Sequence, residues 1–145
     1  MKTFADFRCD TEVEFGVSLL KFDGHPTESN GRKYLLFGVE MIAMLHEPED
    51  VPAFFDHELF HLYHRQVVGV DAPHDNEPAW WTMWMEGLAT YVSQRMNPGL
   101  DAQHVLCYPP DIVQRMKWQR ARSAQLMLRD IDKTDVDGAR WFSRQ

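Results

Sequence analysis

The chain has 145 residues, 44% hydrophobic and 26% charged, which suits one domain with a real core and excludes a disordered chain. Its 22 acidic and 15 basic residues leave a formal net charge of -7, which argues against a nucleic-acid-binding surface. No apolar run is long enough to span a bilayer, and Met1-Lys2-Thr3-Phe4-Ala5-Asp6 meets an acid before a signal-peptide core develops, so the chain reads as soluble.

In chain order, residues 14–22 have strand composition, and Asp23-Gly24-His25-Pro26 breaks the run. Glu28-Ser29-Asn30-Gly31 is rich in turn formers, and residues 33–38 read as a second strand. Two such runs joined by a turn predict an antiparallel pair. Met41, Ile42, Met44 and Leu45 favour a short helix over 39–46. Pro48-Glu49-Asp50-Val51-Pro52 resets the chain, with Asp50 placed as an N-cap and Pro52 in the first turn of a helix that runs to about residue 68, where Gly69 ends it.

Residues 71–77 read as a polar loop, and Pro78 opens a second long helix carrying Trp80, Trp81, Trp84, Glu86 and Tyr91 and stopping at Asn97-Pro98-Gly99. Tryptophans at this spacing are usually core packing. A loop follows through Tyr108-Pro109-Pro110. Asp111 then caps a third long helix to about residue 131, with an incomplete apolar stripe of Val113, Met116, Ala124, Met127 and Ile131. The basic residues between 115 and 122 read as a solvated helix face. Trp141 and Phe142 suggest one further helix. Cys9 and Cys107 are too far apart in sequence to form a recognisable knuckle or redox pair.

The chemistry is concentrated in His57-Glu58-Leu59-Phe60-His61. Four residues separate the two histidines, so on a helix they lie one turn apart on one face, where both rings reach one metal ion. Glu58 follows the first histidine and is placed to hold a water without itself binding the metal. The helix is apolar on most sides, with Phe54, Phe55, Leu59, Phe60, Leu62 and Tyr63. Burying two imidazoles and a carboxylate there unpaired is costly, and a metal with its water satisfies all three. A catalytic zinc site takes three protein ligands and keeps one position open. Glu86, a carboxylate inside an apolar helix, is the best candidate for the third. Gly87 and Ala89 beside it are small, which predicts close packing of the two helices.

His57-Glu58-Leu59-Phe60-His61 followed by Glu86-Gly87-Leu88-Ala89-Thr90-Tyr91 resembles the gluzincin metallopeptidases, the thermolysin-like and aminopeptidase-N-like enzymes and related zinc proteases of bacteria. The resemblance spans about residues 51–97. It implies His57, His61 and Glu86 as ligands of Zn2+, Glu58 as general base, and a peptide or protein as substrate. The order of strand-like then helix-like segments predicts an α+β class, a small N-terminal antiparallel sheet and then a mainly helical part with the metal between two helices, and the resemblance makes this one zincin-like domain over 1–145. This chain departs from the family pattern in two places. Twenty-four residues separate His61 from Glu86, a longer link, with the extra length expected near Pro73-His74-Asp75. Thr90 stands where thermolysin-like enzymes often carry an Asp that orients a ligand histidine. Relatives also continue past the third helix, so a truncated C-terminus is expected.

Zinc acidifies a bound water and polarises a carbonyl, and a second donor is needed for the oxyanion. By residue type Tyr91, His64, His74, Tyr108 and His104 qualify for that donor role. The leading reading is a zinc peptidase. The competing readings are a metal-binding scaffold of weak catalytic power and a metal-free structural domain.

Overall fold

A computed structural model describes residues 4–69, 77–107 and 109–134. Three strands, β1 (Glu12–Gly16), β2 (Gly24–Ser29) and β3 (Arg32–Gly38), precede five helices, α1 (Val39–Leu45), α2 (Val51–Val68), α3 (Ala79–Met96), α4 (Ala102–Leu106) and α5 (Ile112–Asp130). The class is α+β, with a three-stranded sheet of order β1-β3-β2.

The sheet is mixed, which corrects the purely antiparallel expectation. β2 pairs antiparallel with β3, and β1 pairs parallel with β3 from Glu12↔Tyr34 to Gly16↔Gly38. The antiparallel partner is therefore the segment 24–29, whose polar residues and proline had read as a break. Two physical facts explain it. Asn30 and Gly31 have φ of 52° and 72°, the left-handed pair of a two-residue hairpin turn, and this turn fixes Ser29 opposite Arg32. β2 is an edge strand, where a proline is tolerated. The first strand stops at Gly16 because Leu19 and Leu20 adopt left-handed φ of 57° and 62°. That turn is held by Glu40, whose Oε1 accepts from Ser18 Oγ at 2.7 Å and from Leu20 N at 3.1 Å.

One face of the sheet packs on α2. Leu35, Phe37 and Phe54 form the buried centre, with Ile42, Phe55, Leu59 and Leu62 around them. Phe37 stacks on Phe15 at 5.2 Å and meets Phe55 edge-on at 4.8 Å. On its other side α2 packs against α3. Ala53 and Ala89 are almost wholly buried there, and Ser93 Oγ donates to the Ala53 carbonyl at 2.6 Å. Asn97 Nδ2 donates to Asp56 Oδ2 at 2.7 Å. Small residues do let the helices approach, but only at Ala89: a β-carbon at Gly87 would meet nothing.

The long-helix ends agree with expectation in position but not always in mechanism. Gly69 ends α2 at φ 70° and donates its N–H to the Arg65 carbonyl. Asp50 precedes α2 without a side-chain capping bond, and its Oδ2 accepts from Glu47 N instead. Asp111 likewise makes no capping bond and pairs with Arg115 at 2.7 Å. The first amides of α3 are satisfied tertiarily: Ala79 N donates to the Lys133 carbonyl and Trp80 N to the Ile131 carbonyl, both at 2.9 Å. The loop expected after α3 contains the short α4, capped by Asp101. α5 is mostly exposed, its basic residues included, and Trp118 lies on its open face. Cys9 and Cys107 are free thiols. No helix of the described residues is long and apolar enough to cross a membrane. The expected loop insertion at 73–75 and the helix around 141–142 lie outside the described residues.

Candidate metal centre

α2 and α3 together build the site. α2 presents His57 and His61 one turn apart, and α3 brings Glu86 across from them. The His57 and His61 Nε2 atoms stand 3.0 Å apart. Glu86 Oε2 lies 3.1 Å from His57 Nε2, and Glu86 Oε1 lies 3.5 Å from His61 Nε2. A tetrahedral cation with ligands at about 2.0–2.1 Å requires donor atoms about 3.3 Å apart. The His–His and His–carboxylate separations are close to that edge length, with a different Glu86 oxygen facing each imidazole, and two imidazoles with one carboxylate are a set that suits zinc. Among the described residues this is the single group of three or more His, Cys, Asp or Glu side chains close enough to share an ion.

Electrostatics tie the three groups together. Burial opposes charge on His57, but the Glu86 hydrogen bond and the neighbouring Glu58, Glu86 and Asp23 carboxylates outweigh it and hold the imidazole above its ordinary value. Burial also works against the Glu86 carboxylate, yet the hydrogen bonds from His57 and His61 prevail and hold its pKa far below the carboxylate range. The imidazole and the carboxylate thus share a proton, and a metal at this cluster would have to displace it.

Glu58 reaches the start of β2 at Gly24. It lines a cavity of about 270 Å³ together with Gly24, His61, Trp81 and Glu86. Burial raises its pKa, against the pull of His57 and His61, which suits a group that must accept and then release a proton. Its neighbour on β2 is a glycine for a physical reason. A β-carbon at Gly24 would stand 2.8 Å from Glu58 Cδ and 2.9 Å from Oε2. The edge strand thus leaves a notch that the carboxyl group occupies.

The oxyanion-donor candidates do not converge. Tyr91 is exposed on α3. His64 is buried, stacked on Phe60, and leaves its Nδ1 without a partner. His104 pairs with Asp101 at 2.9 Å. None of these three lines the cavity, and His74 and Tyr108 lie outside the described residues. The cavity wall holds Arg65, which the pattern reading passed over, and Trp81, which it read as core packing. Arg65 was discoverable, because it stands four residues after His61 and so on the same helix face. The closeness of Gly24 to Glu58 had no local signal.

Compared with protein-family models, curated proteins and solved structures, the chain finds no match in any of the three. The gluzincin resemblance therefore rests on the motif residues themselves, and function is argued from the site.

Proposed function

We propose that this chain is a zinc-dependent peptidase, with His57, His61 and Glu86 as the metal ligands and Glu58 as general base. The observation that carries the proposal is the three-way approach of His57, His61 and Glu86 at 3.0–3.5 Å, made by residues 29 apart in the chain and on different helices. When bound, zinc would supply an acidified water and a polarised scissile carbonyl. The chain's own residues do the rest. His57, His61 and Glu86 hold the ion and, being mutually hydrogen-bonded, need little rearrangement to do so. Glu58, confined by Gly24, takes a proton from the attacking water and returns it to the leaving nitrogen. The cavity beside it has room for a side chain or a short stretch of peptide.

The test pairs metal analysis with hydrolysis of an unstructured protein, wild type against Glu58→Gln. One zinc per chain in both proteins is expected, with hydrolysis lower in the variant by about 100-fold or more, the scale of a lost general base. Equal hydrolysis by the two proteins rejects Glu58 as base. A second reading has its own support: none of the described oxyanion candidates reaches the cavity. On that reading the site binds metal but turns over poorly, and both proteins bind zinc while neither cleaves.

A further inference from the structure

Arg65 occupies an unusual place. It lies one helical turn beyond His61, about 6 Å along the α2 axis. Its side chain lines the metal-site cavity and also a second cavity of about 660 Å³, walled in part by Phe7, Thr27, Lys33 and Tyr34. Pro26, Leu62 and Arg65 border both spaces, so the arginine stands in the wall that the two cavities share.

Its guanidinium is only partly solvated, and burial pulls its pKa below the ordinary value, while Glu77, Glu58 and Glu86 pull the other way through space. None of the three is in ion-pair contact with it: among the described residues Arg65 makes no side-chain hydrogen bond or salt bridge. Glu86 is committed to the two imidazoles, and Glu58 is seated against Gly24. A half-buried guanidinium whose planar fork is empty lacks the partner that best satisfies it, and that partner is a carboxylate held by two parallel hydrogen bonds.

We propose that Arg65 is a specificity-determining residue that anchors a substrate carboxylate one or two residues from the bond to be cut. The proposal rests on the peptidase reading and names its substrate class: peptides that present an acid at that position. The carboxylate has two sources. It is the side chain of an acidic residue, with the peptide continuing into the larger cavity, or it is the free C-terminus, with the peptide ending at Arg65.

The experiment uses zinc-loaded full-length protein and one peptide sequence, with Glu or Gln at each position flanking the cleavage site and with a free or an amidated C-terminus. Wild type is expected to favour the carboxylate-bearing member of one pair by about tenfold or more in kcat/KM, the scale of one charge-assisted pair. A Glu-over-Gln preference identifies the side chain, and an acid-over-amide preference identifies the terminus. In Arg65→Gln that ratio falls toward one with zinc content unchanged, and Arg65→Lys, a point charge without the fork, recovers part of it. A wild type with no carboxylate preference, or an Arg65→Gln protein that keeps it, overturns the proposal. If zinc-loaded wild type cleaves none of the peptides, hydrolysis is the claim that fails. Binding of the same peptides, followed by tryptophan fluorescence with Trp81 in the cavity wall, then decides the anchor. Tighter binding of the carboxylate peptides that disappears in Arg65→Gln supports it, and equal binding of all members overturns it.

Discussion

Gly24→Ala isolates the position of Glu58 from its chemistry. The added β-carbon would stand 2.8 Å from Glu58 Cδ, 2.9 Å from Oε2 and 3.1 Å from Cγ. Carbon atoms rest at about 3.5–4.0 Å, so the carboxyl group must retreat by roughly 0.7 Å or more. It is the mobile end of a side chain, so the backbone can stay where it is. Glycine to alanine inside a strand gains about 0.5–1 kcal/mol in chain entropy, which offsets the strain of moving the carboxylate. The melting temperature should therefore stay within a few degrees of wild type. Zinc content should stay at one per chain, because the three atoms nearest the new carbon all belong to Glu58 and not to a proposed ligand. Peptide hydrolysis should fall by about 10- to 100-fold, since misplacement of a reacting group by an ångström costs on the order of 100-fold. The assay is kcat/KM on an unstructured protein, with Glu58→Gln and the double variant alongside. The double variant should be no slower than Glu58→Gln alone, because the two changes act through one group. Full activity in Gly24→Ala, or a double variant whose losses multiply, would refute the reasoning.

Gly38→Ala should behave in the opposite way. Its β-carbon would overlap the Phe22 carbonyl and come within 2.6 Å of Ser18 Oγ, a clash with backbone that no rotamer relieves, so stability measured by urea unfolding should drop by about 1–3 kcal/mol or more. Glu40 supplies an acid-side prediction. The hydrogen bond from Ser18, backed by the Leu20 amide, lowers its pKa from 4.5 to about 2. A depressed folded pKa gives stability that is present above the ordinary value and lost as pH falls through the folded one. The melting-temperature gap between wild type and Ser18→Ala should therefore be widest near neutral pH and narrow between 4.5 and about 2; a gap independent of pH counts against the linkage. Zinc should stabilise by mass action, about 2.7 kcal/mol at a hundredfold excess over Kd, or roughly 5–10 °C in melting temperature for a chain of this size. Chelator should remove that gain in wild type, and His61→Ala should show none of it.

How much was legible in the sequence follows from how local each feature is. His57, Glu58 and His61 needed nothing beyond the helical repeat, because a spacing of four places two side chains on one face whatever surrounds the helix. The span of α2 was also readable, since Pro52 and Gly69 act on their own backbone. Glu86 came from a motif and from the cost of burying a carboxylate in an apolar run; α3 does carry it to both histidines, but its side chain is about half exposed, so burial was not what required a partner. Strand pairing was not readable. The parallel alignment of β1 with β3 depends on a turn at Leu19 and Leu20 that side chains from Ser18 and Glu40 hold from outside the strand. The polar β2 became a strand through an edge position and a hairpin turn rather than through its own apolar pattern.

By itself, then, the sequence determined which residue types meet on α2, and it offered Glu86 as the candidate carboxylate to join them. Only the tertiary structure decided what surrounds that centre. The notch at Gly24 joins residues 34 apart, and the cavity beside Arg65 is walled by α2, β2 and the N-terminal segment. Helical periodicity is a property of neighbours along the chain, so it can be counted. The confinement of Glu58 and the unfilled fork of Arg65 are properties of the space between elements, and that space exists only once the sheet has packed on the helix.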